Sequence, residues 1–367
     1  MKETNIQITQ FEMTYPLDNI CPLEKALFID IETTGFTARS SYLYLIGCVF
    51  YKDGCWNIRQ WFAENYQDES LLLDSFFEFA KDYTHLIHFN GNNFDLPYIK
   101  QKCEQLGLSY SFEGFDGLDI YRRIAPYRHF LKLPNCKQKT LEQFLGIDRE
   151  DPYTGGDLIG IYHEYVQYHS EDNEKALLLH NEEDLKGMLE LLPILSYYDL
   201  LNSGLRAKKA QASTYKDLAG NKRQELLLTV VLPVALPKEI SASGNDCYFK
   251  GYEKEGQIRV PIYEGELKYF YSNYKDYYYL PAEDTALHKS VAGFVDKDHR
   301  EAATAATCYT RKVSTYLPQW DALVTPFFKN DYKEKNMYFE LTEEIKKDRQ
   351  VFSDYSNHIL DVIAAQV

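Results

Sequence analysis

Paired cysteines and long apolar runs are both missing from this sequence of 367 residues. The seven cysteines are odd in number and scattered, and none forms a Cys-x-x-Cys pair or joins histidines at zinc-ligand spacing. This distribution argues against a disulfide framework and against a zinc site. The longest apolar run, Leu226 to Pro237, is shorter than the ~20 residues that cross a bilayer, and the N-terminus has no signal-peptide core. We therefore expect a soluble, cytoplasmic protein with no membrane partner.

A net positive charge, which is usual in proteins that bind nucleic acid, is also missing, since the formal net charge is −15. The acidic excess lies mostly in the first half of the chain. Within that half, residues 121–139 form a basic island in which six Lys and Arg side chains alternate with aromatic residues. Cations contact phosphates and rings stack on bases, so this composition favours nucleic-acid contact. A solvated surface loop is the alternative.

The pattern of elements predicts two domains. Residues 1–200 show a three-strand meander, then alternating helices and strands, then helices that include a long one over 172–198, so an α/β domain with a mixed β-sheet is expected. Residues 201–224 are rich in Lys and Arg and predict a basic connector. Residues 225–367 predict a smaller β-rich, Tyr-rich domain with C-terminal helices and a further helical pattern around 286–307.

The segment from Ala26 to Gly35 carries the first candidate site. It predicts a buried strand that runs into a turn, and Asp30 and Glu32 are two residues apart near the end of that strand. Alternate residues of a strand point to the same face, so the two carboxylates should lie together. A hard divalent cation, which prefers oxygen ligands, would relieve their repulsion. Two strand-end acids in solvent are the alternative reading of this segment alone.

Two further carboxylates complete the candidate site. Asp95 follows a short apolar strand and begins a predicted helix, where the helix dipole alone would also favour an acid. Asp184 lies on an otherwise apolar helix, with His180 one turn before it on the same face. Four carboxylates carry a charge of about −4, which two Mg²⁺ or Mn²⁺ ions would neutralise. His180 would then orient or deprotonate the attacking water, or be a core histidine.

Three motifs resemble those of a known family. They are Phe28-Ile-Asp-Ile-Glu-Thr-Thr-Gly35, the segment His88 to Ile99, and His180-Asn-Glu-Glu-Asp184. In this order they resemble the exonuclease motifs of the ribonuclease H-like, DnaQ-type (DEDD) 3′–5′ exonucleases, and the block Leu133 to Glu142 resembles the YprB-like branch. The resemblance covers roughly residues 24–200 and implies a ribonuclease H-like fold. It also implies that Asp30, Glu32, Asp95 and Asp184 bind metal, with His180 positioning the water.

One feature departs from the family pattern. DEDD exonucleases have either Tyr-x-x-x-Asp or His-x-x-x-x-Asp in the third motif, whereas here a histidine stands at the tyrosine spacing. Whether His180 is a general base or an orienting group is therefore open. Candidate substrate contacts lie in the turn after the first strand, in the second motif and in the basic island, and they are Thr33, Thr34, Asn90, Arg122, Arg123 and Arg128.

We therefore expect a metal-dependent 3′–5′ exonuclease that hydrolyses DNA or RNA from its 3′ end. The basic, aromatic second domain would help to hold the substrate, with the tyrosines of 263–279 as a stacking platform or simply as strand and core residues. One alternative is a structure-selective or endonucleolytic nuclease on the same fold. Another is a non-catalytic module that binds nucleic acid or protein, although the presence of all four carboxylates argues against it.

Overall fold

A computed structural model describes residues 1–9, 11–149, 153, 155–217 and 219–366. The chain forms two compact units, Met1–Tyr198 and Asp199–Val367. No helix in the described part of the chain combines the length and the apolar character needed to cross a membrane.

The first unit is built on one six-stranded mixed sheet. The spatial order of its strands is β1-β4-β3-β2-β5-β6. The first four pair antiparallel, and β5 and β6 run parallel to β2. The strands are β1 (Lys2–Ile8), β2 (Ala26–Thr33), β3 (Leu43–Lys52), β4 (Cys55–Phe62), β5 (His85–His88) and β6 (Asp116–Asp119).

In the described part of the chain, seven α-helices follow or interrupt these strands. They are α1 (Glu69–Ala80), α2 (Asp95–Leu106), α3 (Ile120–Ile124), α4 (Gln138–Leu145), α5 (Gly155–Tyr168), α6 (Glu171–Glu190) and α7 (Leu195–Asn202). The predicted α/β class with a mixed sheet flanked by helices is confirmed. The single long helix predicted over 172–198 is wrong. A short 3-10 turn that contains Pro193 separates α6 from α7, because proline cannot donate the helical hydrogen bond.

The predicted meander is present and its hairpin has the expected chemistry. Asp53 and Gly54 connect β3 to β4 with φ values of 52° and 81°. Left-handed backbone at both turn residues matches the right-handed twist of the strands, which is why Asp-Gly is favoured there. The central strand β2 is buried along almost its whole length. Helix α6 packs against β2, β3 and β4, so its residues reach the carboxyl end of β2.

After α7, the described residues of the second unit form three small sheets and two further helices. One sheet joins β7 (Arg206–Lys216), β8 (Lys222–Gly244) and β9 (Cys247–Pro261) in antiparallel order. The others are built from β10 (Tyr263–Phe270), β11 (Tyr277–Leu280), β12 (Thr285–His288), β13 (Glu301–Ala302), β14 (Tyr309–Gln319), β15 (Phe327–Phe328) and β16 (Met337–Glu340). The helices are α8 (Lys289–Ala292) and α9 (Arg349–Gln366).

Two expectations for this part of the chain are wrong. The predicted connector 201–224 is mostly a strand, β7, paired along its length with β8. Its side chains are nearly all exposed, so the segment has no apolar alternation to reveal it as a strand. The helical pattern around 286–307 contains only the four residues of α8, and the strands β12 and β13 occupy much of the rest.

The tyrosines of 263–279 pack on one another and on their own sheets. The rings of Tyr271 and Tyr277 stack with centroids 4.9 Å apart. The hydroxyl of Tyr279 donates a hydrogen bond to Asp284 over 2.6 Å. The tyrosines of this segment are half-buried, so their rings pack on neighbours and also keep exposed surface.

Candidate active site

The four predicted carboxylates come from three elements of the first unit. Asp30 and Glu32 stand near the end of β2, Asp95 is the first residue of α2, and Asp184 lies on α6. Asp30, Asp95 and Asp184 line one cleft of about 980 Å³. Glu32 is not among the described residues that line this cleft, but its Oε1 atom is 3.6 Å from Nε2 of His180. The structure therefore brings together residues that are up to 154 positions apart in sequence.

Burial makes this concentration of charge costly. The pKa of Asp30 is raised well above its usual value by burial and by the neighbouring carboxylates of Asp184, Glu32 and Asp95. The pKa of Asp95 is raised to about 7, chiefly by burial, although backbone N–H groups that include that of Ile31 oppose the rise. Buried acids with raised pKa values are characteristic of sites that bind a cation or transfer a proton.

The donor set fits a divalent metal ion. One ligand atom each from Glu32, His180 and Asp184 lies within 4.8 Å of the other two. Asp30 and Asp95 add carboxylate oxygens nearby, and carboxylates are the ligands that Mg²⁺ and Mn²⁺ prefer. A cation would remove the repulsion that raises the pKa of Asp30.

His180 lies between two of these carboxylates. Its Nε2 atom is 3.3 Å from Oδ2 of Asp184 and 3.6 Å from Oε1 of Glu32, and its side chain is buried. The position one helical turn before Asp184 was predicted from the spacing. The ring can therefore exchange a proton, or bind a cation, at the same place where the carboxylates meet.

Asn181 holds Asp30 in place, a role that the sequence analysis missed. Its Nδ2 donates to Oδ2 of Asp30 over 2.8 Å, and its Oδ1 accepts from Nε2 of Gln60 over 3.0 Å. Asp30 pairs with Gly47 across β2 and β3. A Cβ atom on Gly47 would lie 2.0 Å from Oδ1 of Asn181, so glycine is required for α6 to approach the sheet this closely. In the sequence, only the position of Asn181 directly after His180 could have indicated its role at Asp30.

Asp119, also missed, shapes the loop that leads to Asp95. Its buried carboxylate accepts hydrogen bonds from the backbone N–H groups of Asn90, Asn92 and Arg122 over 3.0, 3.4 and 3.2 Å. Asn90 has a φ of 62°, a left-handed conformation that asparagine tolerates. The end of β6 thus fixes the turn between β5 and α2, and with it the start of the helix that carries Asp95.

Arg149 is a third residue that was not predicted. Its guanidinium donates to Asp184 and to both carboxylate oxygens of Glu142 on α4. Nε2 of Gln138 donates to the same Glu142 over 2.9 Å and to the backbone carbonyl of Asp184 over 2.8 Å. Helix α4 is therefore tied to α6 near Asp184 by a network that is nearly buried.

The predicted substrate residues are only partly gathered at the cleft. Asn90 and Arg128 line it, although Nε of Arg128 also donates to the carbonyl of Leu133 over 3.2 Å. Arg122 and Arg123 are not among the described residues that line it. The guanidinium of Arg123 lies over the ring of Tyr198, 4.9 Å from its centroid.

Thr33 and Thr34 stabilise the turn after β2. Oγ1 of Thr33 donates to the carbonyl of Gly35 over 2.9 Å, and Oγ1 of Thr34 accepts from the N–H of Tyr42 over 2.9 Å. Neither threonine is among the described residues that line the cleft. The cleft is also lined by three aromatic residues that were not predicted and by three members of the basic island 121–139: Phe36, Phe89, Phe94, Tyr121, His129 and Lys137.

Comparison with known proteins identifies relatives of the first unit. Residues 27–196 match the model of the RNase H superfamily. The uncharacterized protein YprB of Bacillus subtilis (strain 168) is 28% identical over 170 residues, which cover 45% of this chain and 40% of YprB. The chain therefore matches less than half of the length of this relative.

Solved structures show weaker likenesses. The family B DNA polymerase of the archaeon Pyrobaculum calidifontis has 14% sequence identity and a TM-score of 0.40, over 70% of this chain and 35% of the polymerase. Exonuclease I of E. coli in complex with a dT13 oligonucleotide has 10% identity and a TM-score of 0.33, over 56% and 54% of the two chains. At TM-scores below 0.5, neither likeness bears on the activity of this chain.

The family match covers the part of the chain that carries the four carboxylates. The match of residues 27–196 and the similarity to YprB therefore support a ribonuclease H-like family, YprB-like branch, and with it a nuclease.

Proposed function

We propose that the first unit is a divalent-metal-dependent 3′–5′ exonuclease that hydrolyses phosphodiester bonds in DNA or RNA. The observation that carries the proposal is that Asp30, Asp95 and Asp184 line one cleft and that Glu32 and Asp184 both meet His180. Burial and neighbouring carboxylates raise the pKa values of Asp30 and Asp95. A fold does not by itself maintain such a costly cluster, whereas a metal site requires it. The order of the three motifs supports the 3′–5′ direction.

The four carboxylates would hold two Mg²⁺ or Mn²⁺ ions. When bound, such ions polarise the phosphodiester and stabilise charge on the attacking and leaving oxygens. Asn181 and the backbone N–H of Ile31 keep the carboxylates of Asp30 and Asp95 oriented in the absence of substrate. This preorganisation means that little rearrangement is needed when the substrate binds.

His180 would orient or deprotonate the attacking water. Its Nε2 faces the carboxylates of Asp184 and Glu32, so it lies where the attacking water of the proposed reaction would be held. Its burial keeps the ring in one orientation.

The walls of the cleft suit the end of a single strand. The rings of Phe36 and Phe94, whose centroids are 6.1 Å apart, offer faces on which bases can stack. Arg128 and Lys137 line the same cleft and supply positive charge for phosphates. The proposed partner is therefore a nucleic acid with a free 3′ end.

Digestion of end-labelled and circular single-stranded oligonucleotides tests the proposal. With Mg²⁺ or Mn²⁺, the protein should release mononucleotides from linear DNA or RNA and leave circles intact, since an exonuclease needs an end. Asp30→Asn and Asp184→Asn should abolish cleavage, because each removes a ligand charge. Asp53→Asn, at an exposed hairpin tip that tolerates asparagine, is the matched control.

Cleavage that persists in Asp30→Asn or Asp184→Asn, with folding verified by circular dichroism, would refute the metal mechanism. Cutting of circular substrates would replace the exonuclease with an endonuclease on the same site.

A further inference from the structure

Arg149 is a cation built into the candidate metal site. Two of its nitrogens contact the two oxygens of Glu142 as a fork, and a third contacts Oδ1 of Asp184. The Arg149 side chain is only 9% exposed and that of Glu142 only 1%. A bidentate pair of this kind fixes the direction of the guanidinium, so the third donor points at Asp184 as a geometric consequence.

Helix α6 is shaped to admit this pair. A Cβ atom on Gly187 would lie 2.2 Å from Oε1 of Glu142 and 3.1 Å from Nη2 of Arg149. Any side chain at this position would therefore displace the ion pair from α6. Gln138 adds a hydrogen bond to Glu142 and another to the carbonyl of Asp184, so the pair is held from both helices.

The four carboxylates of the site differ in their partners. Asp184 has an ion pair with Arg149, whereas no Lys or Arg ion pair reaches Asp30 or Asp95 in the described part of the chain. The second oxygen of Asp184 faces His180. One carboxylate of the cluster is therefore already compensated by the protein itself, and a metal ion that binds Asp184 does so beside a fixed positive charge.

We propose that Arg149 is a positioning residue that orients Asp184 and sets the affinity of the site for divalent cations, an inference that rests on the proposed metal-dependent function. The guanidinium holds Asp184 in place in the metal-free protein. The positive charge of the guanidinium repels a metal ion that binds beside it. The site therefore binds metal less tightly than its carboxylates would without Arg149. Glu142 sets the strength of this effect because it fixes and partly neutralises Arg149.

Isothermal titration of the metal-free, full-length protein with Mn²⁺ tests the proposal. Arg149→Met keeps much of the length of the side chain and removes the charge, so it should bind Mn²⁺ about tenfold more tightly or better, as expected for a unit charge a few ångströms away. Its metal-free melting temperature should fall, because the network around Glu142 is lost. Arg223→Met removes a solvent-exposed arginine ion pair in the second unit and should leave Mn²⁺ affinity unchanged.

Glu142→Gln separates an electrostatic role from a purely structural one. It keeps the charge of Arg149 and removes the charge that compensates it, so it should weaken Mn²⁺ binding while Arg149→Met strengthens it. A purely structural network would move both variants in the same direction. If Arg149→Met does not fold, Arg149→Lys, which retains the charge, should stay close to the wild type and Glu142→Gln should still bind more weakly.

The outcomes distinguish this inference from the proposed function. Wild-type binding of Mn²⁺ with equal or weaker binding by folded Arg149→Met, or unchanged binding by Glu142→Gln, would overturn the role of Arg149 alone. Absence of Mn²⁺ binding in the wild type and in every variant would overturn the metal site and this inference with it. Normal Mn²⁺ affinities without cleavage of any oligonucleotide would overturn the nuclease proposal and leave the role of Arg149 supported.

Discussion

Replacing Asp95 by asparagine should stabilise the metal-free protein, although it removes a proposed metal ligand. Asp95 begins α2 and is 7% exposed. Burial raises its pKa from 3.8 to about 7. Asparagine has nearly the same shape, and its Oδ1 can still accept the backbone N–H groups that the carboxylate accepts. The substitution therefore removes the cost of ionisation and keeps the local geometry.

The sign follows from proton binding in the two states. Between pH 3.8 and about 7 the folded protein keeps a proton on Asp95 that the unfolded chain has lost. The free energy of unfolding of the wild type therefore falls as the pH rises through this window. With ~1.4 kcal/mol per pKa unit, the full shift corresponds to about 4 kcal/mol as an upper value. Asp95→Asn should be more stable by about this amount at pH 8, by about 2 kcal/mol at pH 5, and equal to the wild type below pH 3.8.

Denaturant unfolding in EDTA at several pH values measures this difference. Two of the three tryptophans, Trp56 and Trp61, lie in the first unit, so tryptophan fluorescence reports mainly on the unit that contains Asp95. Glu104→Gln removes an exposed carboxylate from the same helix and is the control. Adding Mn²⁺ at pH 8 should stabilise the wild type more than Asp95→Asn, because the variant lacks a ligand.

A constant stability difference between pH 4 and pH 8 would refute the reasoning, since it would show that Asp95 ionises normally in the folded protein. A lower stability of Asp95→Asn than of the wild type at pH 8 would refute the reasoning equally. It would show that the charged carboxylate stabilises the folded protein more than a neutral side chain does.

Two further predictions concern residues that the sequence did not reveal. Phe36→Ala should weaken binding of a single-stranded oligonucleotide about tenfold, since one stacking contact is lost. The melting temperature should not change, because Phe36 is 90% exposed. Fluorescence anisotropy in EDTA measures the affinity, and an unaltered affinity would contradict the prediction. Asn181→Leu should lower Mn²⁺ affinity and nuclease activity at least tenfold, because Asp30 loses the hydrogen bond from Asn181. Full activity of this variant would show that Asp30 does not need that hydrogen bond.

The parts of the fold that could be predicted are those with a local signal. The apolar run of β2, the Asp-Gly turn after β3 and the spacing of His180 and Asp184 all depend on residues close together in sequence. The strand β7 could not be predicted, because its residues are nearly all exposed and only its pairing with β8 makes it a strand. Alternation identifies a strand only when one face is buried.

The same distinction holds for the candidate site. Acids are visible in a sequence because they stand out in an apolar strand or helix. The supporting residues are not visible in this way, since Asn181 acts on Asp30 from 151 positions away and Arg149 acts on Asp184 from 35 positions away. Asp119 looks like an ordinary strand-end acid until the loop that it holds is in place. These contacts exist only in the folded protein.

The close approach at Gly47 has a consequence for how this site can change over time. Position 47 and position 181 share the same space, because a methyl group on the first would overlap the amide of the second. Substitutions at the two positions are therefore expected to be non-additive, and a larger residue at 47 would be tolerated only after a smaller one had replaced Asn181. That order would cost Asp30 its hydrogen bond first. A series of single substitutions can therefore place a larger residue at position 47 only after passing through a variant in which Asp30 has lost its hydrogen bond and the site is weakened.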